Sequence, residues 1–140
     1  MEAKIHRYPI IIKETLLDLY GHVNNAAYLT LYEEARWDMI TKSGYGLHTI
    51  RETGLGPVIL NIDISYLKEL RSREEIVVES QTLSYEKKVG VLQQVMLRDG
   101  EVCNKAIYKF GLFDLKNRKL VIPTQEWLIA IGVVDVETLA

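Results

Sequence analysis

The spacing of apolar residues between positions 25 and 42 is that of an α-helix with one buried face. Apolar side chains recur there four, three and four residues apart, and polar side chains occupy the opposite face. Asn24 is a natural N-cap for this helix, and Gly44 and Gly46 are suitable stops after it. The pattern therefore predicts one long helix from Asn25 to Lys42. Its apolar face carries Tyr28, Tyr32, Ala35 and Met39.

After this helix the apolar period changes to two, which is the period of a β-strand. We expect the segment from Gly54 to Pro57 to break the chain, and a half-buried strand to follow at 58–66. Asp99-Gly100 separates two later alternating runs, and this dipeptide is a strong signal for a hairpin. The apolar face of the 58–66 strand carries Val58, Leu60, Ile62, Ile64 and Tyr66. The other predicted elements are a strand at 4–13, a short helix at 47–53, strands at 74–86, 89–98 and 101–114, a turn at 116–119 and a helix at 124–131.

The order of these elements predicts an α+β protein: a curled antiparallel sheet of about five strands wrapped around one long central helix. One helix cannot cover both faces of such a sheet. In the 74–86 strand, Val77 and Tyr85 lie opposite in parity to Ile76 and Val78, so apolar side chains occur on both faces. We therefore expect a homodimer or a homotetramer.

Length and composition indicate an ordinary globular protein with one domain, residues 1–140. Hydrophobic residues make up 48% of the chain, charged residues 26%, and the net charge is −2, which gives no reason to expect a nucleic-acid partner. The N-terminus lacks a signal-peptide pattern and no run of about 18 apolar residues occurs, so we expect a cytoplasmic protein without a membrane partner. The single cysteine, Cys103, cannot form a metal site alone, and no metal or cofactor is expected.

The candidate chemistry lies where the long helix begins. The first N–H groups of a helix have no intrahelical acceptor and lie at the positive end of its dipole. A substrate carbonyl directed at them would have its developing negative charge stabilised. Asp18 precedes Asn25 by a short loop, and an aspartate is ionised at neutral pH. Asp18 is therefore placed to act on the carbonyl carbon as a base or a nucleophile.

The run Asp-x-x-Gly-His-Val-Asn-Asn at 18–25, followed by Tyr28-Leu29 and by Glu33-x-Ala35-Arg36, resembles the hot-dog thioesterases. The resemblance is dense over residues 12–37 and is closest to the 4-hydroxybenzoyl-CoA thioesterase-like branch. It implies a hot-dog fold and hydrolysis of an acyl-CoA thioester without a cofactor. It also implies subunits whose sheets join edge to edge, with the active sites at the interface.

The resemblance assigns roles to individual residues. Asp18 corresponds to the catalytic carboxylate, as nucleophile or as base on water, and Asn25 to the residue whose backbone amide polarises the carbonyl. Gly21 lets the backbone turn tightly and approach the substrate, and His22 and Asn24 are also expected beside the substrate. Each has a plainer alternative: Asp18 could brace the loop, His22 could hydrogen-bond within it, and Asn24 could only cap the helix.

Other residues bear on how the coenzyme A and acyl parts of the substrate would bind. Lys87 and Lys88 are the favoured candidates to meet the phosphates of coenzyme A, although they would equally suit an acyl carrier protein. The other candidates are Arg71, Arg73, Lys116, Arg118 and Lys119. The leucines around Asp18 favour a fatty acyl group. Glu33 and Arg36 are spaced to pair along the helix.

Two alternative functions remain open. A hot-dog hydratase or dehydratase acting on 3-hydroxyacyl thioesters would need a histidine positioned across from an acid, whereas His22 follows Asp18 by only four residues within one turn. A non-catalytic acyl-CoA-binding protein would use the same fold without turnover.

Overall fold

The structure is a computed structural model that describes residues 1–136. Within that range an antiparallel sheet has the strand order β1-β3-β4-β5-β2, and β6 extends it beside β5. The strands are β1 (His6–Ile11), β2 (Leu55–Tyr66), β3 (Glu75–Glu86), β4 (Val89–Arg98), β5 (Glu101–Asp114) and β6 (Lys119–Val121). The helices are α1 (Ala27–Lys42), α2 (Leu47–Thr53) and α3 (Gln125–Ala130). This order confirms the predicted α+β class, whereas residues 137–140 of the predicted domain lie outside the described residues.

Helix α1 is buried along the face that its sequence period indicated. Its buried side chains share one core with residues of β3, β4 and β5, among them Val78, Leu92 and Ala106. Tyr28 and Tyr32 are core residues, as predicted, with exposed fractions of 4% and 0%. None of the helices within residues 1–136 is long and apolar enough to cross a membrane.

The β4–β5 hairpin closes at the predicted dipeptide. Asp99 and Gly100 both have positive φ, 51° and 79°, which suits the right-handed twist of the two strands. The β3–β4 hairpin turns at Lys87-Lys88, where Lys87 has a φ of 54°. Both turns are short, so the three strands run antiparallel in sequence order.

Strand β2 departs from its prediction in two ways. It begins at Leu55 and contains Gly56 and Pro57, which were expected to break the chain. Proline is tolerated because β2 is an edge strand, where one row of N–H groups has no ladder partner. The register shifts between Ile59 and Asn61, and most of the predicted apolar face is not buried in the single chain. The exposed apolar residues of that face are Leu60, Ile62 and Tyr66.

The end of the chain contains one element that the sequence pattern missed. Strand β6 pairs with the last residues of β5, where only a turn at 116–119 was expected. Helix α3 follows as predicted, and the Thr124 hydroxyl accepts a hydrogen bond from the Trp127 N–H at 3.2 Å. Gly132 ends this helix with a φ of 90°.

Candidate active site

The loop before α1 is closed by its own backbone hydrogen bonds. The Asp18 N–H donates to the His22 carbonyl at 2.8 Å, and the Gly21 N–H donates to the Asp18 carbonyl at 3.1 Å. At the base of the loop the Asn24 N–H donates to the Leu16 carbonyl at 2.8 Å. Gly21 has a φ of 80°, and a Cβ there would meet nothing within 4 Å. Glycine is therefore needed for its left-handed conformation and not for close approach of a neighbour.

The two carboxylate oxygens of Asp18 have different surroundings. Oδ1 accepts hydrogen bonds from the Tyr20 N–H at 2.8 Å and the His22 N–H at 3.4 Å. Oδ2 has no hydrogen-bond partner among residues 1–136. Oδ1 of Asp18 therefore braces the loop, as one alternative expected, and Oδ2 is available for chemistry.

The start of α1 lies two residues later than predicted. The Asn24 side chain accepts the Ala26 N–H at 2.9 Å and its carbonyl accepts the Ala27 N–H at 2.9 Å, so Asn24 caps a tight turn that leads into the helix. The Asn25 N–H has no acceptor within the part of the chain that the structure describes. This is the unpaired donor that the sequence argument required at the helix start.

Tyr66 forms a hydrogen bond to Asn25, the residue whose N–H is unpaired. Its hydroxyl donates to the Asn25 carbonyl at 2.8 Å, and its ring meets the Tyr28 ring edge-on at 5.2 Å between centroids. The last residue of β2 is thereby tied to the first turn before α1. That contact restricts rotation of the Asn25 backbone.

A cavity of about 360 Å³ brings several predicted site residues together. Asp18, His22 and Asn25 all border it, whereas Gly21 and Asn24 shape the loop and do not line it. The His22 Nε2 atom lies 3.1 Å from Glu69 Oε2, which orients the imidazole ring at the cavity wall. The complete lining is Asp18, His22, Val23, Asn25, Tyr28, Tyr66, Leu67, Lys68 and Glu69.

The structure does not bring Lys87 and Lys88 to this cavity within one chain. They form the turn before β4, while the cavity lies at the other end of the sheet, where β2 ends and β5 begins. The length of β4 separates the two ends by about 30 Å.

Sequence reasoning missed Tyr66, Lys68 and Glu69 as site residues. They follow Asp18 by more than forty positions and reach the cavity only because β2 returns beside the start of α1. No local spacing in the sequence signals that return. The polar residues directly after a predicted strand were the only available indication.

Comparison with known proteins decides the family. The sequence profile described as "Thioesterase-like superfamily" matches residues 14–131. The chain belongs to this thioesterase-like superfamily. The predicted resemblance to the hot-dog thioesterases is confirmed, and so is the enzyme class, a thioester hydrolase.

Relatives of this superfamily member agree in sequence and in fold. The long-chain acyl-CoA thioesterase FadM of Escherichia coli is 35% identical over 105 residues, which are 74% of this chain and 79% of FadM. The crystal structure of the probable thioesterase YbaW from Escherichia coli has a TM-score of 0.79 at 31% identity, covering 89% of this chain and 95% of that one. The Staphylococcus aureus protein SAV2348, solved in complex with CoA, shares the fold, with a TM-score of 0.85, 15% identity and coverage of 94% and 84%.

The expected pair between Glu33 and Arg36 along the helix is wrong, because Arg36 makes no such pair in this thioesterase-like chain. Its Nη1 atom donates to Gln94 Oε1 at 3.0 Å, and its Cζ atom lies 4.7 Å from the centre of the Tyr108 ring. The helix face that carries Arg36 is turned towards the sheet. Packing against neighbouring strands therefore decides its partner, which sequence spacing alone cannot show.

In this thioesterase-like chain, Glu14 links the segment before α1 to the connection between β2 and β3 by hydrogen bonds. Arg73 donates to both of its carboxylate oxygens, at 2.8 and 2.6 Å, and the Ser72 hydroxyl donates to Oε2 at 2.6 Å. The hydrogen bonds from Arg73, and then from Ser72, lower the pKa of Glu14 from 4.5 to about 2. Since the charged form is favoured in the folded state, the contribution to stability is complete above pH 4.5 and is lost as the pH falls towards 2.

We predict that Glu14→Gln lowers the melting temperature most at neutral pH. The difference from the unsubstituted protein should shrink steadily below pH 4.5 and become small near pH 2, where about half of the native carboxylates are protonated. Thermal unfolding by circular dichroism across this range is the measurement. Glu86→Gln, an exposed position at the end of β3, is the matched control and should show no such trend. A pH-independent difference for Glu14→Gln would contradict this account of the loop anchor.

Proposed function

We propose that this chain hydrolyses the thioester bond of an acyl-CoA, with Asp18 and Asn25 as the catalytic residues. One observation carries the proposal: the free Oδ2 of Asp18 and the unpaired N–H of Asn25 belong to residues that border the same cavity. The name of FadM and the CoA complex of the Staphylococcus aureus protein support acyl-CoA as the substrate.

The chemistry follows from the charges that develop during attack. When a nucleophile adds to the thioester carbon, negative charge moves to the carbonyl oxygen. The Asn25 N–H lies just before α1, near the positive end of its dipole, and has no acceptor within residues 1–136, so we assign it as the donor to that oxygen. Asp18 Oδ2 supplies the second group, either by taking a proton from an attacking water or by attacking the carbon itself to form a mixed anhydride that water then cleaves. In both routes the carbon–sulfur bond breaks and coenzyme A leaves as a thiolate that takes up a proton.

The remaining cavity residues serve to orient the substrate. His22 is held by Glu69, and Tyr66 is held by the Asn25 carbonyl, so both rings have fixed positions in the wall. Leu19 and Tyr20 project from the loop tip and are almost completely exposed. We assign a fatty acyl group to the substrate, because this exposed apolar tip stands beside the catalytic carboxylate.

A homodimer formed through β2 would complete the site. The outer edge of β2 pairs with no strand among residues 1–136, and it carries exposed apolar side chains at Leu60 and Ile62. An unpaired edge of this length favours pairing with a second copy. The same contact can serve within a homotetramer.

Antiparallel pairing of β2 with its copy also accounts for Lys87 and Lys88. A two-fold axis across β2 brings the opposite end of the partner's sheet next to the Asp18 cavity. The partner's β3–β4 turn would then lie about three strand spacings, or about 14 Å, to the side. In that position the two lysines can meet the phosphates of coenzyme A or an acidic carrier protein.

We predict that Asp18→Asn lowers turnover of acyl-CoA by about 10²- to 10⁴-fold, because the general base or nucleophile is lost. Asparagine retains a side-chain oxygen that can accept the Tyr20 N–H, so the loop and the melting temperature should be preserved. Thiol release from a series of short, long and aromatic acyl-CoAs is the assay, with circular dichroism as the folding check.

The exposed Glu52→Gln on α2 is the matched control and should retain full activity. Unchanged turnover in a folded Asp18→Asn variant would remove Asp18 from the mechanism. Acyl-CoA binding without thiol release, identical in both proteins, would instead identify the non-catalytic binding protein.

We predict that Ile62→Lys weakens the dimer by about 100-fold or more, because two buried isoleucines are lost and two cations meet near the middle of the paired strands. Size-exclusion chromatography with light scattering measures the change. Leu47→Lys, on the exposed part of α2, is the matched control and should remain dimeric. A monomeric unsubstituted protein, or an Ile62→Lys variant that stays dimeric, would contradict pairing through β2.

A further inference from the structure

The residue with the unpaired N–H, Asn25, is fixed through the two peptide groups that flank it. The Asn24 carbonyl accepts the Ala27 N–H at 2.9 Å, and the Asn24 side chain accepts the Ala26 N–H at 2.9 Å. Both bonds are local, because each joins residues at most three positions apart. Among the described residues, the Asn25 carbonyl alone of these groups is held by a distant side chain, the Tyr66 hydroxyl at 2.8 Å.

Helix α1 does not supply a partner for the Asn25 carbonyl. In a regular helix the Leu29 N–H would donate to it, but this N–H donates to the Ala26 carbonyl at 3.2 Å instead. Within residues 1–136, Tyr66 is therefore the one donor to the Asn25 carbonyl, across 41 positions of the sequence. The end of β2, and not the helix, thus determines how this peptide group lies.

The Tyr66 ring is itself held in one orientation. It meets the Tyr28 ring edge-on, with 5.2 Å between centroids and an angle of 87° between planes. Tyr28 belongs to the first turn of α1 and is 4% exposed. The backbone after Tyr66 is fixed as well, because the Leu67 N–H donates to the Cys103 carbonyl at 3.0 Å. The hydroxyl therefore approaches Asn25 from a rigid support.

We propose that Tyr66 is a positioning residue, whose hydroxyl directs the Asn25 N–H at the substrate carbonyl. This inference rests on the function proposed above. A hydrogen bond weakens steeply as it departs from linearity, so a donor to an oxyanion acts fully only when its direction is fixed. The two peptide planes meet at the Asn25 Cα atom, and freedom of the second plane lets the first one tilt. Tyr66 acts through Asn25 and needs no contact with the reacting atoms.

Tyr66→Phe tests the hydroxyl alone, because it keeps the ring that packs on Tyr28. We expect kcat for decanoyl-CoA to fall about tenfold, which is less than the loss of a whole oxyanion donor. KM should change by less than about twofold, because the lost interaction acts mainly in the transition state. The side chain is half exposed, so the variant should fold, with a melting temperature lowered by at most about 5 °C.

Tyr45 offers a matched control at the opposite end of β2. Its hydroxyl donates to the Leu55 carbonyl at 3.0 Å, so Tyr45→Phe loses the same kind of hydrogen bond. Tyr45 is buried and does not border the Asp18 cavity. Tyr45→Phe should lower the melting temperature at least as much as Tyr66→Phe and should leave kcat unchanged. Equal losses of kcat in the two variants would indicate a general effect of stability and overturn the positioning role.

The carbonyl stretch of bound substrate reports the hydrogen bond on its oxygen directly. Decanoyl-CoA carrying a heavy carbon isotope at the carbonyl is bound to Asp18→Asn, which should hydrolyse it too slowly to interfere, and infrared difference spectra are recorded. The stretch should move to lower wavenumber on binding. This shift should be smaller in the double variant Asp18→Asn/Tyr66→Phe and complete in Asp18→Asn/Tyr45→Phe.

The outcomes separate this inference from the proposed function. A smaller shift with Tyr66→Phe, together with a loss of kcat that Tyr45→Phe does not show, supports Tyr66 as the positioning residue. A shift that Tyr66→Phe leaves unchanged would overturn the positioning role while Asn25 stays the donor. No shift in Asp18→Asn itself would overturn the roles of both Asn25 and Tyr66, whereas the role of Asp18 is decided by turnover.

Discussion

The proposed site depends on the fixed position of helix α1, because the Asn25 N–H just before this helix must point at the substrate carbonyl. Helix α1 is held against the sheet by apolar packing and by polar contacts at defined positions. The Tyr32 hydroxyl donates to Asn104 Oδ1 at 2.7 Å, and the Gln94 amide donates to the Tyr32 carbonyl at 3.1 Å and to the Ser80 hydroxyl at 2.9 Å. These side chains are fully buried, so a slip of α1 along the sheet would leave several polar groups without partners.

The loop before α1 is rigid for a different reason. Its hydrogen bonds are local, and one oxygen of Asp18 belongs to them. The hydrogen bond from Tyr66 to the Asn25 carbonyl links the C-terminal end of the loop to β2. The hydrogen bond from Arg73 to Glu14 links the segment before the loop to the β2–β3 connection. A carboxylate that is fixed through one oxygen presents the other without losing further side-chain entropy when substrate arrives. Under the proposed mechanism, Asp18 serves both the structure of the loop and the chemistry.

Sequence patterns were reliable wherever a local rule decided the structure. The period of α1, the Asp99-Gly100 hairpin and the bounds of β4 and β5 depend on neighbours close in the chain, and all were predicted. Strand β2 was predicted too short because the tolerance of Pro57 depends on the strand's place at the sheet edge, which is a property of the whole fold. Asp18 and Asn25 were identified as candidate site residues from the sequence motif that contains them. Glu69 at the cavity and the inward turn of Arg36 arise from long-range packing, and no spacing in the sequence shows either.

The central claim is that the free oxygen of Asp18 and the N–H of Asn25 act on one carbonyl. A crystal structure with an acyl-CoA analogue in which a methylene replaces the thioester sulfur tests this geometry directly, because the ketone keeps the carbonyl and cannot be hydrolysed. The account predicts the ketone oxygen at about 2.7–3.1 Å from the Asn25 nitrogen, with Asp18 Oδ2 facing the carbonyl carbon or a water beside it. A ketone bound outside this cavity, or one whose oxygen is held by other donors while Asp18 faces away, would contradict it.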